Sequence, residues 1–85
     1  MKILFSEQAW DDYQYWLDTD QKMVKRVNQL IRDTCREPFQ GIGKPEALRH
    51  LLKGYWSRRI TEEHRLVYRV DGILMLAQLR YHYDD

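Results

Sequence analysis

The residues of this sequence best suited to chemistry lie in its second half: Glu46, Arg65 and His82. An arginine can grip a phosphate through two N–H groups and stabilise the charge that builds up during phosphoryl transfer. A histidine can give or take a proton near neutral pH. RNA needs little more to be cut without a metal. A base takes the proton of a ribose 2′-OH, that oxygen attacks the adjacent phosphorus, and an acid protonates the departing 5′-oxygen. A carboxylate such as Glu46, in the segment Lys44-Pro45-Glu46, suits the base. Plainer readings compete with each assignment. A single histidine on a small sheet is more often a surface or core residue than a catalyst. Arg65 could be an ordinary strand-surface charge, and Glu46 a solvated loop acid. His64, at the start of a hairpin strand, reads as structural, and His50 is open. His50, His64, His82 and Cys35 lack the close spacing of a metal site. Gly41-Ile42-Gly43 lies in coil rather than ahead of a helix, so it is not a phosphate loop. No metal or other cofactor is expected.

Whether these side chains meet depends on the elements that carry them. Met1 to Phe5 reads as a short strand, and Ser6 as the N-cap of a helix with Glu7 in its first turn. Trp10, Tyr13 and Leu17 recur at helical spacing, which predicts an inward stripe with Asp11, Asp12 and Asp18 away from it. Thr19-Asp20 ends that helix and caps a second, whose apolar face is Val24, Val27, Leu30 and Ile31. Arg36 to Lys44, broken by Pro38, Gly41 and Gly43, is a loop. The remainder predicts a β-meander with strands at Tyr55–Ile60, His64–Val70 and Ile73–Tyr83. Asp71-Gly72 signals a two-residue hairpin turn. That register sets Val70 opposite Ile73, Val67 opposite Leu76 and Arg65 opposite Gln78, and it puts Arg65, Gln78, Arg80 and His82 on one face. The turn at Thr61-Glu62-Glu63 leaves two outcomes. A three-residue loop pairs Arg59 with Arg65; a two-residue loop brings Arg58 onto that face instead. Strand, two helices and then antiparallel strands make an α+β domain, with both helices on one side of the sheet.

The length suits one domain, residues 1–85, with a thin core. Hydrophobic residues at 44% and charged residues at 32% fit a folded domain and exclude a disordered chain. Positive charge is concentrated centrally: residues 36–69 carry eight Lys/Arg against four Asp/Glu, whereas residues 1–35 carry five against six. Such a local excess suits a phosphate-binding surface. One cysteine allows no intrachain disulfide, no apolar run has membrane-spanning length, and Met1 to Phe5 leads straight into polar residues. A cytoplasmic setting is expected.

Several segments together resemble the YoeB toxins of the RelE superfamily. They are Trp10-Asp11-Asp12-Tyr13, Pro38-Phe39-Gln40-Gly41, Gly43-Lys44-Pro45-Glu46, Trp56-Ser57-Arg58-Arg59-Ile60, Thr61-Glu62-Glu63-His64-Arg65-Leu66-Val67-Tyr68 and Arg80-Tyr81-His82-Tyr83. The similarity runs through nearly the whole chain, in order. It implies a microbial-RNase-like fold and a ribosome-dependent endonuclease that cuts mRNA in the ribosomal A site without metal. It further implies Glu46 as general base, His82 as general acid and Arg65 as transition-state stabiliser, with Tyr83 orienting or stacking on the nucleotide. Arg58 and Arg59 fall to RNA binding, as does Arg49, at a position where the family tends to carry lysine. A YefM-like antitoxin with a disordered segment that folds over the basic face is the implied partner, beside the ribosome and mRNA; a homodimer is also compatible. Two features depart from the family pattern. The Asp71-Gly72 turn is tighter than usual, and Asp84-Asp85 follow Tyr83, adding charge of the wrong sign for RNA.

Two other functions fit the same fold. One is a non-catalytic inhibitor like the ParE toxins that poison DNA gyrase, since fold alone does not settle activity. The other is a plain RNA-binding module, whose usual aromatic stacking motifs are not evident here. An inhibitor has no need of an acid and a base around a phosphate stabiliser, which favours the nuclease.

Overall fold

Ser6 and Asp20 punctuate the helical half of the chain. In the computed structural model, which describes residues 1–83, the Ser6 hydroxyl accepts the Ala9 N–H at 3.0 Å. This opens α1 (Glu7–Thr19) after the short strand β1 (Ile3–Phe5). The Asp20 carboxylate then accepts the N–H groups of Lys22 and Met23 and opens α2 (Gln21–Arg36). Four strands follow: β2 (Glu46–Ala47), β3 (Trp56–Arg59), β4 (Arg65–Val70) and β5 (Leu74–Gln78). Neither helix is long and apolar enough to cross a membrane. Asp84 and Asp85 lie outside the described residues.

The five strands form one sheet in the order β1-β5-β4-β3-β2. All pairings are antiparallel except β1 with β5, which is parallel. Both helices cover one face. Val24, Val27, Leu30 and Ile31 of α2 are all buried there, as their spacing predicts, with Leu66, Tyr68, Leu74 and Leu76 of the sheet. Fully burying each such aliphatic side chain contributes about 1.5–3 kcal/mol.

Of the predicted inward stripe of α1, only Tyr13 packs against the core. Trp10 is 52% exposed and Leu17 is exposed, whereas Ala9, Asp12 and Trp16 are buried. The reason is polar. The Asp12 carboxylate accepts the Leu79 N–H at 2.9 Å, and the Trp16 indole N–H donates to the Leu79 carbonyl at 2.8 Å. One helix face thus satisfies both backbone groups of a residue just beyond the sheet, where no strand partner exists.

The β4–β5 hairpin also differs from its predicted register. Its loop has three residues rather than two, so Val70 pairs with Leu74, and Tyr68 with Leu76. Gly72 supplies the positive φ of 71°, and the Asp71 N–H closes onto the Ile73 carbonyl at 3.0 Å. A bulge between Val67 and Tyr68 shifts the register again, so Val67 pairs with Gln78. β5 stops at Gln78, short of the predicted Tyr83. Glu46, expected in a loop, instead belongs to the edge strand β2 and pairs with Ser57.

Candidate active site

Strand register builds one wall of a cleft on the sheet face away from the helices. The β3–β4 turn takes the three-residue alternative, which sets Arg59 directly opposite Arg65. Glu46 lies opposite Ser57, two residues from Arg59. Because side chains alternate along a strand, Glu46, Ser57, Arg59 and Arg65 share that face.

The other wall is the segment after β5, which leaves the strand conformation. Leu79 is fixed by Asp12 and Trp16 of α1. Tyr81 then takes a φ of 64°, in the left-handed region that costs a residue with a side chain about 1–3 kcal/mol. Its backbone is held on both sides: the N–H donates to His64 Nδ1 at 2.7 Å, and the carbonyl accepts the Arg65 N–H at 3.0 Å. After this reversal His82 and Tyr83 turn back toward β3 and β4. Their rings lie 5.1 Å apart, and the Tyr83 hydroxyl is 3.1 Å from the Ser57 hydroxyl. Arg80 goes the other way, with its guanidinium 3.4 Å from the centre of the Tyr15 ring on α1. The predicted grouping of Arg65 with His82 is therefore present, but Arg80 is not part of it.

A cavity of about 180 Å³ results, lined by Glu46, Arg59, Arg65, His82 and Tyr83 together with Lys44 and Ser57. An adjoining cavity of about 400 Å³ shares Glu46 and Tyr83 and extends past Arg49. The smaller one sets three cations against one carboxylate, so it favours an anionic ligand. Arg65 is buried, and its Nη1 donates to the carbonyls of Thr61, Glu62 and His64 at 2.7–3.1 Å. Those bonds hold the guanidinium plane without neutralising its charge, which suits contact with a phosphate.

Arg58 must be removed from the RNA-binding set. It is 0% exposed and sits on the opposite, helix-facing side of β3. Its Nη1 meets the Asp33 carboxylate at 2.6 Å, its Nη2 donates to the carbonyls of Glu37 and Gln40, and its Nε to the Tyr68 hydroxyl. Tyr68 in turn donates to the Pro38 carbonyl at 2.6 Å. Burial pushes the Tyr68 phenol up, partly offset by Arg58. Hydrogen bonds from Arg36, from the Ile42 N–H and from Arg58 hold the Asp33 carboxyl well below the usual carboxylate range. The loop 37–45 wraps this group so closely that a Cβ at Gly41 would collide with the Asp33 carboxylate. Arg58 thereby shapes the loop that delivers Lys44 and Glu46 to the cleft.

Lys44 and Ser57 were missed as site residues. Lys44 adjoins Glu46 in a segment already singled out, and its φ of 50° marks a constrained turn that no sequence signal announced. Ser57 is legible only once its pairing with Glu46 is known.

Comparison with known proteins decides the family. The profile of the YoeB-like toxin of bacterial type II toxin–antitoxin systems matches residues 5–83. This chain belongs to the YoeB toxin family. It is 62% identical to Toxin YoeB of Escherichia coli (strain K12) over 84 residues, which is 98% of this chain and all of that one. Among solved structures, a YoeB/ParE toxin from Agrobacterium tumefaciens superimposes with a TM-score of 0.96 at 52% identity, covering 98% of this chain and all of that one. A YoeB dimer from Staphylococcus aureus gives 0.91 at 49% identity, with 98% of each chain covered. A heterotetrameric YoeB-YefM toxin–antitoxin complex from the same organism gives 0.90 at 49%, again with 98% of each chain covered. The protein is thus a YoeB toxin of a type II toxin–antitoxin system, and its mixed five-stranded α+β fold is the RelE-like one.

Proposed function

We propose that this toxin is a ribosome-dependent endoribonuclease that cuts mRNA in the ribosomal A site and so stops translation. The observation that carries this reading is the convergence of a carboxylate, an arginine and a histidine on one anion-favouring cavity. Glu46 takes the 2′-OH proton as general base. The 2′-oxygen attacks the adjacent phosphorus, Arg65 stabilises the negative charge that grows on the phosphoryl oxygens, and His82 protonates the 5′-oxygen as it leaves. The products are a 2′,3′-cyclic phosphate and a free 5′-hydroxyl. Lys44 and Arg59 add positive charge around the phosphate. Tyr83 stacks on or hydrogen-bonds the nucleotide, and Arg49, along the adjoining cavity, meets the next phosphate.

The cleft is small and its charge excess modest, which suits a substrate positioned by the ribosome rather than captured from solution. The toxin acts in the cytoplasm on this reading. Its antitoxin is a YefM-like protein whose acidic segment folds over Arg49, Arg59 and Arg65, and two toxin copies can associate as a dimer.

Addition of the purified protein to a translation extract tests the activity. Discrete mRNA truncations that require ribosomes and end in 2′,3′-cyclic phosphate are expected. Translation arrest with intact mRNA, or inhibition of DNA gyrase instead, overturns the reading.

A further inference from the structure

We propose that His64 is a positioning residue for the cleavage site, acting through the backbone of Tyr81. The inference rests on the nuclease reading. His64 lies outside the cavity that holds Glu46, Arg65 and His82, and no step of the chemistry uses it. Its Nδ1 nevertheless accepts the Tyr81 N–H at 2.7 Å, between residues 17 apart in sequence. Tyr81 is the hinge of the segment that carries the acid: the residue before His82, in a left-handed conformation. A residue with a side chain holds that conformation only where its surroundings over-determine it. Three contacts do so here. The Arg65 N–H grips the Tyr81 carbonyl at 3.0 Å, Gln78 reaches the same carbonyl at 3.4 Å, and His64 grips the N–H.

The His64 ring is itself held. It stands edge-on to Trp16 at 4.9 Å and tilted against Tyr81 at 5.8 Å. Because Nδ1 accepts a hydrogen bond, the ring proton sits on Nε2. His64 therefore joins α1, through Trp16, to the reversal that aims His82 at the scissile phosphate. Without the acceptor, the Tyr81 N–H has no place in the reversal, the backbone is free to relax toward an extended path, and His82 leaves the Arg65 face. Small displacements of a proton donor cost rate far more than binding.

Two substitutions separate this role from ring packing. His64→Asn keeps an acceptor at the position of Nδ1 and loses the ring; His64→Phe keeps the ring and loses the acceptor. Wild type and both variants are compared in ribosome-bound mRNA cleavage, thermal melting and amide hydrogen exchange at Tyr81. The expectation is a kcat lowered at least about 10-fold in His64→Phe with KM little changed, and within about 3-fold of wild type in His64→Asn, although His64→Phe melts at the same temperature or higher. Tyr81 amide protection should be retained in His64→Asn and lost in His64→Phe. Equal kcat in the two variants, or an order of activity that follows melting temperature, overturns the proposal. Failure of wild type to cleave overturns the nuclease reading instead, and the exchange data then still decide whether His64 holds Tyr81: undiminished protection in His64→Phe refutes it.

Discussion

Arg58 and Arg65 are both buried arginines on adjacent strands, yet they do opposite work. Arg58 faces the helices and ends on a carboxylate: Asp33 at 2.6 Å neutralises it, and the carbonyls of Glu37, Gln40 and Ile42 and the Tyr68 hydroxyl take the rest of its donors. Arg65 faces the cleft, and the acceptors that hold its Nη1 are three backbone carbonyls. Carbonyls fix a guanidinium in place but leave its full charge; a carboxylate cancels it. Burial of an arginine is therefore uninformative by itself. The kind of acceptor separates a structural cation from one that can meet a phosphate.

The comparison can be broken most sharply at Arg58. Arg58→Ala should lower unfolding free energy by about 3–5 kcal/mol, because it breaks a buried ion pair, leaves Asp33 with Arg36 and the Ile42 N–H as its remaining partners, and takes the donor from the loop carbonyls of Glu37, Gln40 and Ile42. Urea denaturation monitored by tryptophan fluorescence measures this; a loss under 1 kcal/mol would mean that the pair is not structural. Next, Arg65→Ala should reduce cleavage of ribosome-bound mRNA by about 10²-fold or more while the protein stays folded. Wild-type cleavage rates in that variant would refute the assignment of its charge to the transition state.

A smaller effect appears with pH. The Asp33 carboxyl is held lower in the folded protein than in the unfolded chain, so the unfolded state binds its proton more readily. Its contribution to stability is fully present above the ordinary carboxylate value, about 3.9, and declines as pH falls below it. Asp33→Asn should be less stable at pH 7 but lose less of its stability on acidification; parallel stability–pH curves for the two proteins would contradict this. The smallest expected change is at Ser57. Ser57→Ala removes the 3.1 Å hydroxyl contact to Tyr83 and should slow cleavage by about 2- to 10-fold, the equivalent of about 0.5–1.5 kcal/mol. A loss as large as that of Arg65→Ala would give Ser57 a direct part in the chemistry.

The sequence made α2 legible because its signals are local: a capping aspartate and an apolar stripe that any amphipathic helix must bury. α1 is legible as a helix with its Ser6 cap, but apart from Tyr13 its inner face is chosen by a distant partner. An aspartate normally marks the solvent side; here the buried Leu79 N–H, which lacks a strand partner, and the Gln8 amide both donate to Asp12 and make its burial favourable. Turn chemistry located the β4–β5 hairpin, but a third loop residue and a bulge are tertiary adjustments that no dipeptide encodes. For the site, residue types and the family resemblance picked out Glu46, Arg65, His82 and Tyr83, which do converge. The choice between Arg58 and Arg59 needed the loop length, and the role of Arg58 needed Asp33, 25 residues away.

The parallel pairing of β1 with β5 joins Ile3 to Leu74. During synthesis the first strand therefore waits, with its partner unmade, until almost all of the described chain has been polymerised. His82 and Tyr83 follow β5 by only a few residues, so sheet closure and completion of the cleft fall at the same moment. Such long-range closure is slow compared with helix formation. A partly made chain that stops before β5 has neither His82 nor Tyr83, and so lacks one whole wall of the cleft.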